Sequence, residues 1–201
     1  MTGPESSLRA RRRRQTTQDI HQTALRLAAE HGFGQVTVDM ISAEAGISRR
    51  TFFNYFSSRE AAVIVGPRQL PEDAVAEFLA GTAVEPAQVL RDLTRLVLRE
   101  FEEDVPARED LRQVMALARE HASVLAVLLA NFDAFEREVA GVAARRIGQQ
   151  PEDEVPALLA SLALSAIRTG LQRFSRLEAT GDSPLPHVER SIALLHSLLV
   201  P

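Results

Sequence analysis

The chain has no cysteine, which removes disulfides, thiolate nucleophiles and cysteine-based zinc sites together and fits a reducing compartment. It has no lysine either, so all 23 basic residues are arginine. No run of about 18 apolar residues occurs, and no membrane-spanning helix is expected. The arginines near the N-terminus are not followed by an apolar stretch, so a secretory signal is not expected. Strand-type segments are scarce while Ala, Leu, Arg and Glu dominate, which favours helix on propensity alone. Of the five histidines, His21, His31, His121, His187 and His196, none stands in a Glu-x-x-His or His-Glu-x-x-His pattern. Neither a metal site nor a cofactor is expected.

What is present is the composition of a folded protein: 201 residues, 45% apolar and 25% charged, enough for one large domain or a small one joined to a larger one. The net charge of −4 conceals an asymmetry. Residues 1–66 carry 9 Arg against 6 Asp and Glu, and the remainder carries 14 against 21. A basic N-terminal third joined to an acidic body indicates that one end meets a polyanion.

Residues 1–14 read as a flexible basic arm ending in Arg11-Arg12-Arg13-Arg14. Thr16 or Thr17 then caps a helix whose apolar face is Ile20, Ala24, Leu27 and Ala28, at the 3.6-residue period, and Gly32 stops it. A short helix starts at Thr37, with Asp39 in its positive first turn, and ends at Gly46. Ser48 caps a third helix running to Tyr55, with Phe52 and Phe56 expected in the core. Ser57 and Glu60 have the capping-box spacing for a fourth. Pro67 and Pro71 mark a break. Beyond it, amphipathic helices are expected near 86–103, 107–119, 122–147, 152–179 and 186–199, with Pro106, Pro151, Pro184 and Pro186 at the joints. The expected fold is all-α with about nine helices. It comprises a three-helix DNA-binding domain over 15–66, with its helix-turn-helix at 37–56, and a helical ligand-binding and dimerisation domain over 67–201.

Residues 37–56 carry the functional signal. Two short helices flank Ala45-Gly46-Ile47, a tight turn in which Gly46 leaves the helical region without Cβ strain, Ile47 buries between the helices, and Ser48 restarts the chain. The third helix then opens on Ser48, Arg49, Arg50 and Thr51, with Asn54 one turn beyond Arg50. Arginine can pair with guanine O6/N7 and asparagine with adenine N6/N7 in the major groove, while hydroxyls serve phosphates or bases.

From Gln15 to Val65, through Thr-Val-Asp-Met-Ile-Ser-Ala-Glu-Ala-Gly-Ile-Ser-Arg-Arg-Thr-Phe-Phe-Asn-Tyr-Phe-Ser-Ser-Arg-Glu, the sequence resembles the tetracycline-repressor-like (TetR) family of bacterial regulators. It departs from the family pattern at Met40-Ile41-Ser42, where Ile-Ala is commoner, and at Arg50, where many members have Gly. Phe53 stands where many have Tyr, and Arg59 replaces the frequent Lys. The resemblance implies phosphate contacts from Thr37, Ser48, Tyr55 and Arg59, and base or mixed contacts from Arg49, Arg50, Thr51 and Asn54. It further implies a cytoplasmic, nucleoid-associated homodimer on a palindromic double-stranded operator. The subunits would pair through the helices near 152–179 and 186–199, and a small-molecule effector would release the DNA.

Other readings compete. A helical enzyme would need a nucleophile, a carboxylate pair or a ligand spacing, and none stands out. A helical adaptor that has lost DNA binding would keep the fold but has no use for Arg49-Arg50-Thr51. The Arg11–Arg14 run is either a solvated tail or an arm that enters a minor groove or tracks phosphates. In the distal helices Phe101, Met115, Phe132 and Phe135 read mainly as core and Arg168 as surface or interface. These five are the residues that would line an effector cavity.

Overall fold

The computed structural model describes the backbone of residues 4–64, 70–103, 107–176 and 183–199, and the side chains of 12–64, 70–99, 107–176 and 183–198. Helix punctuation sets out its first third. The first helix, α1 (Pro4–His31), ends at Gly32, whose φ of 77° is a left-handed value that suits glycine. A 3₁₀ turn (Phe33–Gln35) leads to α2 (Val38–Glu44), α3 (Arg49–Phe53) and α4 (Arg59–Ala62). Thr37 caps α2 by accepting from the Met40 N–H at 3.2 Å, and Ser48 caps α3 by accepting from the Thr51 N–H at 3.0 Å. Each satisfies a donor that the first helical turn would otherwise leave bare.

Two local expectations change. Thr16 and Thr17 cap nothing. The helix runs through them to Pro4, with the Thr17 hydroxyl donating to the Arg13 carbonyl at 2.8 Å, the i−4 back-bond open to a helical threonine. Residues 4–14 are therefore helical where an arm was expected, and the Arg11 side chain lies outside the described residues. At α4, Ser58 rather than Ser57 is the cap, accepting from the Ala61 N–H at 3.1 Å.

The remaining helices are α5 (Glu72–Ala80), α6 (Pro86–Glu103), α7 (Arg108–Glu120), α8 (Ala122–Ile147), α9 (Glu154–Arg176) and α10 (Leu185–Leu199). Among the described residues there are ten α-helices and no strand. The helix beyond the expected count is α5. Pro71 reads as a breaker, yet with φ −58° it stands at the N-cap and opens the helix. The joints at Pro67 and Pro106 lie outside the described residues.

The chain divides into two compact units, one of residues 1–65 with 113–128 and the other of 66–112 with 129–201. The expected boundary at 66–67 lies outside the described residues. Residues 113–128, expected in the distal domain, pack in the first unit. There the Gln113 amide donates to the Leu25 carbonyl at 2.5 Å, the His121 ring lies 5.0 Å from the Phe33 ring, and the Ser123 hydroxyl donates to Glu60 at 3.5 Å. An amphipathic pattern states which face of α7 is buried but not against what.

In the first unit Ile20, Ala24, Phe33, Val36, Ile41, Phe52 and Val63 are buried. The His21 Nδ1–H donates to the Ala62 carbonyl at 2.8 Å, tying α1 to α4. The second unit packs Phe78, Val89, Leu93, Val97, Phe135, Val139, Ala143, Leu159, Ala163, Ile167 and Val188 into one core. By length and composition α9 could cross a membrane, although the sequence holds no uninterrupted apolar run of that length. Eight of its residues, Pro156 to Phe174, are buried within the protein, and Arg168 interrupts the apolar stretch on an exposed position. Gly170 lets α10 approach α9: a Cβ there would stand 2.4 Å from the Val188 Cα.

Candidate nucleic-acid interface

The turn between α2 and α3 is built as its residues require. Gly46 has φ 66°, and the Ile47 N–H donates to the Ser42 carbonyl at 2.9 Å. Ile47 is half-buried in the angle. Phe52 is completely buried and packs 6.0 Å from the Phe56 ring, anchoring α3 from beneath. Burying a phenylalanine side chain contributes roughly 1.5–3 kcal/mol, so the sequence commits this face of α3 inward and leaves the opposite face to solvent. Phe53, whose place could not be read from sequence, is 48% exposed beside the arginines.

On that outer face the two adjacent arginines differ. The Arg49 guanidinium lies 3.3 Å from the Asp39 carboxylate on α2 and 5.8 Å from the centre of the Phe53 ring. It is held in place by two neighbours while remaining mostly exposed. Arg50 is exposed and, among the described residues, has no hydrogen bond, ion pair or ring contact. Arginine left in solvent without a partner adds little to the fold and is available to a ligand. The Thr51 hydroxyl is 2.8 Å from that of Ser48, so the two are organised as one pair. Thr37 and Asn54 are exposed and Tyr55 is half-buried.

Arg59, which the resemblance assigns to phosphate, is half-buried, with its guanidinium on protein acceptors. Nη1 donates to the Val36 carbonyl at 2.5 Å and the Phe33 carbonyl at 3.1 Å, Nε donates to Glu60 at 3.2 Å, and the group stacks 4.7 Å from the Phe33 ring. It caps the end of the 3₁₀ turn, sharing the Phe33 carbonyl with the Val36 N–H and taking the Val36 carbonyl as well. Glu60 feels burial first, which raises its carboxyl. Its own backbone N–H, Arg59 and Ser58 outweigh that and hold it below the ordinary glutamate value.

Sequence reasoning missed three contributors: Asp39 as the partner of Arg49, Phe53 as its platform, and Arg13 of α1. The Arg13 guanidinium donates to the Asn54 carbonyl at 3.3 Å and lies 5.1 Å over the Tyr55 ring. No spacing rule links residues 41 apart in sequence. The Asp39 pairing alone left a trace, an acid in the first turn of α2 preceding a pair of arginines.

The five distal candidates are divided between the two units. Met115 falls in the first unit, with the helix-turn-helix, while Phe132, Phe135 and Arg168 fall in the second. Phe135 is buried in the core, Phe132 is half-buried and Arg168 is exposed. The Phe101 side chain lies outside the described residues. Among the described residues no group of three or more His, Asp or Glu side chains is placed to hold a metal ion.

Comparison with known proteins places the two parts of the chain in one context. Residues 20–63 match the family model described as bacterial regulatory proteins, tetR family, and residues 84–198 match the MftR C-terminal domain. A Mycobacterium tuberculosis protein bearing the name of mycofactocin biosynthesis transcriptional regulator MftR is 28% identical over 184 residues, covering 88% of each chain. The HTH-type transcriptional regulator TcmR of Streptomyces glaucescens is 29% identical over 156 residues, covering 73% of this chain and 67% of its own. Among solved structures, a TetR-family transcriptional regulator from Syntrophomonas wolfei shares the fold with a TM-score of 0.54 at 19% identity, covering 94% of this chain and 96% of its own.

Proposed function

The chain belongs to the TetR family of bacterial transcriptional regulators, and from that premise we propose that it is a ligand-responsive repressor acting as a homodimer on a palindromic operator. Each subunit sets the N-terminal end of α3 into a major groove. The observation that carries this reading is Arg50: an unpartnered guanidinium at the start of a capped, core-anchored helix, on the face opposite the buried Phe52. A guanidinium so placed can form the bidentate pair with guanine.

Arg49 acts as the more constrained neighbour. Asp39 and Phe53 fix its direction, which suits it to one phosphate or one base edge rather than to a choice among several. Thr37 and the Ser48–Thr51 pair serve phosphates or sugars: the Thr37 hydroxyl keeps its proton after accepting from the Met40 N–H, and one of the two paired hydroxyls keeps a proton to donate outward. Asn54 faces the same solvent and completes the reading edge.

The homodimer is supported by α9 and α10. Leu158, Leu194 and Leu198 are 60%, 54% and 82% exposed on these helices, and Leu194 and Leu198 stand one turn apart. Apolar side chains left in solvent on adjoining helices suit a twofold, self-complementary contact. A dimer on a palindrome places its two α3 helices about one helical repeat of DNA apart. An effector held among the helices of 86–179 releases the operator only if it binds one conformation better than the other.

Selection of bound fragments from genomic DNA, followed by gel-shift titration across salt, tests the reading. The wild type should retain a palindromic sequence. Arg50→Ala should fold normally and lose about 1–3 kcal/mol of discrimination at one base pair of each half-site. Failure of the wild type to bind any duplex at low salt sinks it.

A further inference from the structure

We infer that the helical N-terminal extension of α1 is a second DNA contact, in which Arg12 engages a phosphate and Arg13 holds the extension in place. The inference rests on the DNA-binding reading above and adds a partner surface to it. Three observations meet. First, α1 is continuous from Pro4 to His31, so the arginine run is carried on the same rod as the buried Ile20. Arg12 lies eight residues before Ile20, about 12 Å along the axis at the helical rise. Secondly, Arg13 docks that rod on the far end of the reading helix, through the Asn54 carbonyl at 3.3 Å and the Tyr55 ring at 5.1 Å. The extension is thereby fixed beside the element that enters the groove. Thirdly, while Arg13 is engaged with Asn54 and Tyr55, Arg12 is exposed and has no hydrogen bond, ion pair or ring contact among the described residues.

The helical form decides what this surface can read. A helix with its side chains is about 10–12 Å across, and the minor groove of B-DNA is about 6 Å wide. An extended arm could enter that groove, but a helix cannot. Its guanidinium therefore addresses the phosphate backbone, which contributes affinity without sequence information. Residues of this class reveal themselves through counterion release: the slope of log K against log salt becomes shallower by about 0.9 for each phosphate that the protein no longer neutralises.

The test uses the full chain with two duplexes of equal length, one carrying the genomically selected operator and one scrambled, each titrated across salt. Arg12→Ala should shift the slope by about 0.9 per subunit, or about 1.8 for a dimer. The shift should be the same on both duplexes, leaving the ratio of their affinities unchanged, and Arg12→Lys should restore the slope. Arg13→Ala should shift it similarly in the wild type but add little in the Arg12→Ala background, because it acts by positioning Arg12. Circular dichroism confirms that each variant folds. An unchanged slope for Arg12→Ala, with the wild type binding the operator, overturns this inference alone. A changed affinity ratio with an unchanged slope overturns the phosphate assignment in favour of base reading. Additive losses from Arg12 and Arg13 overturn the positioning role. A wild type that binds neither duplex removes both this inference and the reading beneath it.

Discussion

The two units of this protein solve the same problem with different materials. The helix-turn-helix unit sets against the 28-residue α1 three short helices, α2 to α4, of seven, five and four residues, too short to persist on their own. Each is held by a hydroxyl cap at its start, and the unit as a whole by guanidinium contacts: Arg59 on the 3₁₀ turn, Arg13 on α3, Arg49 on α2. The second unit uses long helices, such as the 23 residues of α9, packed through an aliphatic core. It too has a buried polar clamp. Arg146, 3% exposed, donates to Asp92 at 2.7 Å and to the Phe78 carbonyl at 3.0 Å. The difference teaches that a surface needed for ligand chemistry is built on short elements held by local, directional contacts, while a generic aliphatic core suffices for a body.

That contrast can be broken at several points. The largest effects should come from the two anchors. Phe52→Ala empties a fully buried site under α3 and should cost about 3–5 kcal/mol in chemical denaturation. Arg146→Ala leaves Asp92 to Gln88 and Arg95 but bares the Phe78 carbonyl, and should cost about 1.5–3 kcal/mol for the lost charged hydrogen bonds, although it lies in the aliphatic unit. A loss under about 1 kcal/mol would show that the clamp is solvated and that the second unit depends on its apolar core alone.

Next in size is Gly170→Ala. The new Cβ would meet the Val188 backbone, and backbone cannot rotate aside. Separating α9 from α10 should cost about 1–3 kcal/mol and weaken the proposed dimer, read by sedimentation velocity across concentration. An undisturbed midpoint and dimer would mean that α10 can slide without penalty.

A smaller, favourable change is expected at Ser42, which departs from the alanine usual in the family. It is 4% exposed and its hydroxyl has no partner among the described residues. Ser42→Ala should stabilise the protein by about 1 kcal/mol, since a buried hydroxyl without a bond carries its desolvation cost. A lower thermal midpoint in the variant would contradict this.

The smallest effect is on acidification. Glu60 has a folded-state carboxyl held below its ordinary value of 4.5. A group of this kind contributes stability that is fully present above the unfolded value and lost as pH falls through the depressed folded one. Denaturation midpoints should therefore decline below about pH 4.5, and Glu60→Gln should flatten that part of the profile. If wild type and variant decline in parallel, other carboxylates govern the acid limb.

The caps at Thr37 and Ser48, the stops at Gly32 and Gly46, and the bounds of α6 and α8 are legible in the sequence. They depend on interactions within one turn of helix, or on a period that repeats along a single helix. The family resemblance is legible for the same reason, since the motif of residues 37–56 is a string of such local requirements. The helix start at Pro4, the opening of α5 at Pro71 and the Ser58 cap are not legible, because each local signal has two readings.

What the sequence by itself determined is an all-helical chain with a reading helix that opens on Ser48, Arg49 and Arg50. What only the tertiary structure decided is how those guanidiniums divide: Arg50 without a partner among the described residues, Arg49 on Asp39, Arg13 on Asn54, and Arg59 on the carbonyls of residues 33 and 36. The physical reason is that arginine has the same charge and donors at every position. Which acceptors it meets depends on chain segments 10 to 41 residues away in sequence, and composition and periodicity do not record that distance.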